Sequence, residues 1–175
     1  MATFTRISSG TPWEPIVGYS RLVRAGDLVA VSGTTATDER GLIVGGGQMY
    51  VQARQALANI RTALERAGLS MSDVIRTRMF VTDISRYAEV ARAHKEFFAD
   101  SPPATSMIEV RALVHRDMLI EIEADAYAGP APAAKPAAVA KAAPGAPAPK
   151  IKLAPKPKSK PAAKKPAPKK SKLRR

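Results

Sequence analysis

The composition of the chain changes sharply after Gly129, and this break limits what the chain can fold into more than any single motif does. Residues 130–175 contain 14 Lys and Arg, 11 Pro and 14 Ala, but no Asp or Glu. Such a segment has too few large apolar groups to offset the entropy lost on ordering. Residues 1–129 carry 14 basic and 15 acidic residues and are close to neutral. We therefore predict one folded domain over residues 1–129 and a disordered basic tail, rich in Lys, Pro and Ala, over residues 130–175.

Several classes of protein are excluded by what the sequence lacks. There is no cysteine, which excludes disulfides, a thiolate nucleophile and cysteine metal sites. His94 and His115 are the only histidines, so a multi-histidine metal site within one chain is excluded as well. No apolar run is long enough for a transmembrane helix, and the first residues lack the pattern of a signal peptide. We expect a soluble cytoplasmic protein that binds no metal.

The first half of the domain predicts a hairpin followed by a helix. Short apolar runs at residues 21–24 and 28–32 flank a turn, and one more strand is expected near residues 3–7. Apolar residues then recur at i, i+3, i+4 and i+7 spacing, which is typical of a helix with one buried stripe. This stripe consists of Ala53, Ala56, Leu57, Ile60, Ala63, Leu64 and Ala67, and Gly68 follows as the stop.

The second half predicts a strand, a helix and two final strands. Alternation over residues 73–82 places Ile75, Thr77, Met79 and Val81 on one face. Asp83 is the expected N-cap of the second helix, whose inward stripe is Ile84, Tyr87, Ala88, Ala91 and Phe98. Pro102 and Pro103 end that helix, and strands are expected over residues 105–111 and 118–128.

This order of elements predicts an α+β fold, a two-layer sandwich in which two helices cover one face of a mixed sheet of about six strands. The other face is predicted to be polar. Its expected members are Arg76, Arg78, Thr105, Glu109, Arg111, Glu121, Glu123 and Asp125, with Phe80 and Met107 between them. The alternation itself slightly favours a face open to water, and packing against other subunits is the alternative.

Seven segments, in an unbroken order from residue 8 to residue 129, resemble the RidA/YjgF family. They are IVGYSRLV, VSG, QARQALANIRTALERAGL, DVIRTRMFVTDISRYAEV, HKEFF, PPATSMIEV and IEIEADAYA. The resemblance implies a chorismate-mutase-like fold assembled as a homotrimer, with the sheets facing inward and ligand clefts between subunits. It also implies hydrolysis of reactive enamines or imines, such as 2-aminoacrylate, to a 2-keto acid and ammonia without a cofactor.

The resemblance carries family roles to four positions of this chain. Tyr19 matches a tyrosine that helps to close the cleft, and Ser32 and Gly33 match a Ser-Gly pair that faces the ligand. Glu121 matches the carboxylate that positions or deprotonates the attacking water, which is the general-base task that imine hydrolysis needs. The alternative for Glu121 is a structural ion pair with Arg76 or Arg78.

The chain departs from the family at Thr105, where deaminating members have an arginine that forks onto the substrate carboxylate. Threonine cannot make that bidentate contact, and its loss costs about 2–5 kcal/mol by analogy with truncating one side of a desolvated charge pair. Arg78 and Arg111 are candidate substitutes. Met107 makes the predicted pocket more apolar, which suits a neutral or aromatic ligand. Efficient hydrolysis of 2-aminoacrylate is therefore not expected.

The basic tail suggests a second partner. Its Lys and Arg, among them Lys164, Lys165, Lys169, Lys170, Arg174 and Arg175, would bind nucleic acid through counterion release, without reading sequence. A solubilising tail with no partner is the alternative. Two functions remain from the sequence: an imine deaminase acting through Glu121, and a non-catalytic metabolite-binding trimer that its tails tether to nucleic acid, with nucleoid association. Family members described as ribonucleases suggest a third, but the sequence contains no ribonuclease site.

Overall fold

The sheet and its helices are seen in a computed structural model of the protein, which describes residues 4–129. The elements follow the predicted order, including the strand expected near residues 3–7, and one short helix is added. They are β1 (Phe4–Ile7), α1 (Trp13–Val17), β2 (Leu22–Ala25), β3 (Leu28–Thr35), α2 (Met49–Arg66), β4 (Val74–Val81), α3 (Tyr87–Phe98), β5 (Ala104–Glu109) and β6 (Ile120–Tyr127). Single 3₁₀ turns precede β4 and α3.

The six strands form one mixed sheet in the order β1-β2-β3-β6-β4-β5. All neighbours are antiparallel except β4 and β5, which run parallel because α3 carries the chain back to the start of the sheet between them. The predicted α+β architecture with a mixed six-stranded sheet is confirmed. Strand β6 lies at the centre, so the residues on its open face are flanked by strands on both sides.

The core lies between the sheet and the two long helices. The stripe predicted for α2 is confirmed from Ala53 to Leu64, while Ala67 is only partly buried. Strand β6 alternates as expected, with Ile120, Ile122, Ala124 and Ala126 buried against the helices. Its acidic residues therefore lie on the opposite, open face of the sheet.

A bulge at the start of β4 corrects the predicted alternation there. Val74 pairs with Ala126, but Arg76 pairs with the preceding residue of β6, Asp125, so one residue of β4 is extra. Val74 takes the buried position, and Ile75 is 49 % exposed instead of buried. The register from Thr77 to Val81 then matches the prediction, because a bulge shifts the side-chain alternation by one residue.

The buried stripe of α3 is also different from the predicted one. Asp83 caps the 3₁₀ turn over Ile84–Arg86 and not the helix itself, which begins at Tyr87. This turn rotates the helix, so Tyr87, Ala88 and Ala91 are exposed and Val90 and Ala93 are buried instead. Phe98 is buried, as predicted.

Neither a membrane-spanning helix nor a metal cluster is present in the described part of the chain. No helix within residues 4–129 is both long and apolar enough to cross a bilayer. The same residues contain no group of three or more His, Asp or Glu side chains placed to hold a metal ion. The predicted disorder of residues 130–175 falls outside the described residues.

Candidate functional site

A bulge in β3 opens the space in which Glu121 lies. Val31 pairs with Ala124 and Thr34 with Ile122, so Ser32 and Gly33 together oppose a single residue of β6. A Cβ on Gly33 would lie 2.0 Å from Glu121 Oε1 and 2.8 Å from its Cδ. The absence of a side chain at Gly33 therefore lets the Glu121 carboxyl rest directly against the β3 backbone.

The environment of Glu121 favours its protonated form. Burial raises the pKa of the Glu121 carboxyl, the nearby charge of Glu123 raises it further, and the charge of Arg21 lowers it. Glu121 is half-buried and forms no ion pair within 4 Å among residues 4–129. The predicted ion pair of Glu121 with Arg76 or Arg78 is therefore not formed.

Arg21 completes this cluster and was not among the residues singled out from the sequence. Its Nη1 donates to the Gly33 carbonyl at 3.0 Å and to Thr34 Oγ1 at 2.9 Å, and its Nη2 donates to Tyr19 Oη at 3.1 Å. The guanidinium carbon also lies 5.5 Å from the centre of the Tyr19 ring, a cation–π distance. Arg21 therefore contacts both Tyr19 and the β3 bulge, and its charge also acts on the Glu121 carboxyl.

Ser32 has a structural contact in this cluster. Its hydroxyl donates to the Ser20 carbonyl at 2.7 Å, and its backbone N–H donates to the Arg21 carbonyl at 3.0 Å. The Ser32 hydroxyl proton is therefore already used to fix the bulge, and only the hydroxyl oxygen could accept a further hydrogen bond.

Thr105 and Met107 lie on the helix side of the sheet, not on the open face with Glu121 as predicted. Strand β5 is parallel to β4, and its register places Thr105 beside Thr77 and Met107 beside Met79, both of which are buried against the helices. Neighbouring residues on paired strands share a face, so Glu109, the partner of Val81, is also on the helix side. Within one chain, the structure does not bring Thr105 or Met107 together with Glu121.

The helix side of β5 has its own cavity. A space of about 430 Å³ between α3 and β5 is lined by Met79, Ala91, His94, Lys95, Phe98, Ala99, Pro102, Thr105, Ser106 and Met107. Most of these contribute apolar surface. Lys95 contributes a charge at the edge of the cavity, and it is the only lysine in residues 1–129.

A chain of hydrogen bonds forms the polar wall of this cavity. His94 Nε2 lies 3.0 Å from the hydroxyl of the fully buried Thr77, which lies 2.7 Å from the hydroxyl of Thr105. Burial lowers the pKa of His94, so the neutral imidazole is favoured at neutral pH. The direction of donation along these hydrogen bonds then decides whether the Thr105 hydroxyl donates a hydrogen bond to a ligand or accepts one from it.

The two arginines predicted as substitutes are not placed to anchor a ligand in this chain. Arg78 lies on the open face, where it contacts Glu123 at 3.4 Å and Asp125 at 2.9 Å, so two carboxylates already share its charge. Arg111 follows the end of β5 in an exposed bend. Arg111 therefore does not lie on a face of the sheet, because β5 ends at Glu109, two residues before the end of the predicted strand.

Gly33→Ala tests whether the absence of a side chain at the β3 bulge determines the burial and the pKa of the Glu121 carboxyl. The added Cβ would collide with the carboxyl, whose flexible end can move away into solvent. We expect the pKa of Glu121 to fall towards that of an ordinary glutamate, because the largest cause of its rise is burial. A carbon-detected NMR titration of the carboxyl group measures this. Gly46→Ala is the matched control, since a Cβ there meets nothing within 4 Å. An unchanged Glu121 titration in Gly33→Ala would contradict the role given to the bulge.

Comparison with known proteins adds the following similarities. The family model described as Endoribonuclease L-PSP matches residues 10–128. The RutC family protein PH0854 of Pyrococcus horikoshii is 37 % identical over 114 residues, which cover 65 % of this chain and 90 % of that protein. The solved structure of Rv2704 from Mycobacterium tuberculosis, described as a member of the YjgF/YER057c/UK114 family, is 48 % identical with a TM-score of 0.65. It covers 71 % of this chain and 99 % of its own. The YjgF structure from E. coli is 32 % identical with a TM-score of 0.62, covering 70 % of this chain and 97 % of its own.

Proposed function

Because the chain belongs to the Endoribonuclease L-PSP (RidA/YjgF) family, we propose that it hydrolyses a reactive imine to a carbonyl compound and ammonia, with Glu121 as the group that handles water. The reaction requires no redox partner. A water oxygen bonds to the imine carbon as the C=N π electrons move to nitrogen, and the resulting amino alcohol expels ammonia to leave a C=O group.

The environment of Glu121 is the observation that carries this proposal. A general base works best when its pKa is close to the operating pH, and burial and Glu123 both raise the pKa of Glu121 in that direction. Glu121 would accept a proton from the attacking water and return it to the departing nitrogen. Its lack of an ion-pair partner among the described residues leaves the carboxylate oxygens available for these steps.

The separation of the two candidate halves of the site supports the further proposal that the protein works as a homotrimer. Glu121 lies on the open face and the Thr105 cavity on the helix face, so one chain does not complete a site containing both. Apolar residues also remain exposed on the edge strand β5 and on its neighbour β4, with Ile108 and Ile75 each 49 % exposed. Packing of the β5 edge of one subunit against the open face of another would cover such residues and bring Glu121 of one subunit near the cavity of the next.

The cavity favours a substrate other than 2-aminoacrylate. Thr105 presents a single hydroxyl where a fork of two N–H donors would be needed for a bidentate carboxylate contact. Met79, Phe98 and Met107 give the remaining walls an apolar character that suits a larger neutral or aromatic group.

The direct test is release of ammonia from imines made in situ. An amino acid oxidase supplies 2-imino acids and a flavin amine oxidase supplies uncharged imines, and each is mixed with the full-length protein. Faster ammonia release than in the protein-free control, for at least one imine of either class, is expected. Rates equal to the spontaneous hydrolysis of every imine tried would overturn the proposal.

The second candidate function is a non-catalytic trimer that binds a small metabolite and is tethered to nucleic acid. It is favoured by one observation, the 14 Lys and Arg without any acid in residues 130–175. Such a segment gains affinity for polyanions by releasing their counterions. The segment contains no aromatic residue, so stacking on bases would add nothing.

Removal of residues 130–175 tests the role of the tail. The full chain is expected to bind duplex DNA of unrelated sequences equally well. Its affinity should fall by about 10³-fold or more between 50 and 200 mM salt if each chain contacts six or more phosphates. A chain ending at Gly129 should lose this binding while keeping its circular dichroism spectrum. Retained binding after truncation, or binding indifferent to salt, would exclude the tail as the nucleic-acid element. Fluorescence anisotropy measures both quantities.

A further inference from the structure

Arg21 lies at the junction of the Glu121 cluster and a second, larger cleft. It is half-buried just before β2, and its side chain is held at three points by Gly33, Thr34 and Tyr19. The same residue contributes to the wall of a cleft of about 640 Å³ between the N-terminal segment, the end of β3 and α2. Holding a side chain of this length costs rotamer entropy, which these three hydrogen bonds must offset.

The charge of Arg21 is not neutralised by a contact. Among residues 4–129 it forms no ion pair within 4 Å, although Arg78 and Arg86 each have carboxylate partners within that distance. Glu14 and Glu121 are near enough for Arg21 to lower their pKa values, but neither touches the guanidinium. Glu14 is instead hydrogen-bonded by Ser8 and Ser9. A fixed, unpaired guanidinium is therefore present beside the proposed general base.

Two N–H groups of the Arg21 guanidinium donate to no acceptor among the described residues. The guanidinium carries five N–H groups, and three of them are used by the Gly33 carbonyl, Thr34 Oγ1 and Tyr19 Oη. The Nε–H and one Nη2–H have no acceptor among the described residues. These two groups lie on adjacent nitrogens of the planar guanidinium, and they bind both oxygens of a carboxylate when the free Nη2–H is the one parallel to Nε–H.

We propose that Arg21 is the anion anchor of the Glu121 site, where it binds the carboxylate of a small monocarboxylate ligand through Nε–H and Nη2–H. Arg21 would thus supply in this chain a contact that Thr105 cannot make, from the segment before β2 and next to Gly33, against which the Glu121 carboxyl rests. The inference rests on the proposed function only for the chemistry that follows binding. The anion contact itself stands whether or not the ligand reacts.

Binding of an anion at Arg21 also has a consequence for Glu121. The Arg21 charge favours the ionised form of Glu121, and a bound carboxylate would cancel part of that charge. The pKa of Glu121 should therefore rise when the ligand binds, which makes the carboxylate a stronger base at the moment when water must be deprotonated. A merely structural arginine would produce no such coupling.

The test compares Arg21→Lys and Arg21→Gln with the matched control Arg24→Gln in the full-length protein. Arg24 lies three residues away on β2, and its Nε donates only to the Gly26 carbonyl at 2.8 Å. The probes are pyruvate and its uncharged methyl ester, with binding followed by NMR and the pKa of Glu121 by NMR titration. Circular dichroism confirms that each variant is folded, and Arg21→Lys keeps the charge if Arg21→Gln does not fold.

The expected result is that Arg21→Gln weakens pyruvate binding at least about 30-fold and that Arg21→Lys, which loses the fork, weakens it less. Arg24→Gln should bind as the wild type does, and the methyl ester should not distinguish the variants. Pyruvate should raise the pKa of Glu121 only when Arg21 is present. Absence of pyruvate binding to the wild type, or equal binding by the wild type and both Arg21 variants, would overturn the inference. Hydrolysis of uncharged imines without pyruvate binding would leave the proposed function standing and remove the anchor. Pyruvate binding through Arg21 without turnover of any imine would do the reverse.

Discussion

Glu121→Gln is expected to lower kcat/KM for imine hydrolysis by about 10²- to 10⁴-fold, the range that a positioned general base contributes. The amide has nearly the shape of the carboxyl but cannot accept a proton from water. Initial rates of ammonia release, measured with the best imine substrate, give the ratio. The matched control is Glu65→Gln, the same chemical change at an exposed position of α2, where full activity is expected.

Glu121→Gln is also expected to stabilise the fold at neutral pH. Glu121 has a raised pKa in the folded protein, so its contribution to stability is fully present below the ordinary pKa of a glutamate. That contribution is lost as the pH rises through the folded-state pKa. A neutral amide escapes this loss, so the variant should need more urea to unfold than the wild type at pH 7 and show a smaller difference near pH 4. A less stable variant at pH 7, or one with wild-type activity, would contradict the role given to Glu121.

Gln52→Leu is expected to lower the free energy of unfolding by about 2–4 kcal/mol, because it leaves a backbone carbonyl and a backbone N–H, both partly shielded from water, without their partners. Gln52 is fully buried on α2. Its Nε2 donates to the Asp117 carbonyl and its Oε1 accepts from the Leu119 N–H, both at 2.8 Å. This one side chain therefore holds the loop that leads into β6 against the helix.

Urea unfolding at neutral pH measures the effect, with Gln55→Leu as the control. Gln55 lies one turn away on the same helix. Its side-chain amide donates hydrogen bonds to Asn59 and, at 3.5 Å, to the Thr37 carbonyl. We expect the control to lose less than about 1 kcal/mol. Similar losses in the two variants would mean that the buried contacts of Gln52 are not special. Since Gln52 positions the start of β6, the first variant should also reduce any activity that depends on Glu121.

The buried faces of elements with regular periodicity were predicted correctly from the sequence. The predictions were wrong where a bulge or a turn changed the register. The stripes of α2 and β6 were predicted correctly because both elements are long and uninterrupted. The exposed Ile75 was missed because a bulge leaves no mark in an alternating pattern. The stripe of α3 was misplaced because the preceding 3₁₀ turn rotates the helix relative to the position of its expected cap.

The candidate site shows the same division. Glu121, Gly33 and Tyr19 were placed in one cluster by their family resemblance, and the structure brings them together around Arg21. Thr105 and Met107 were assigned to the wrong face, because the face of an edge strand follows from its pairing with β4 and not from its own residues. Arg21 was missed because it is one of 13 arginines in residues 1–129, and only the folded chain shows which acceptors hold it.

The bulge at Ser32 and Gly33 gives the gene an uneven tolerance for insertions and deletions. Val31 and Thr34 both face the helices although they are three positions apart, because the bulge takes up one extra residue between them. Loss of one codon here would leave Thr34 facing inward by ordinary alternation, but it would remove the bulge and close the space at Glu121. The loop over residues 36–48 contains no bulge in which the number of residues is fixed by strand pairing, so it should accept changes in length. Length variation among descendants of this gene should therefore accumulate in that loop and be absent from the two-residue bulge.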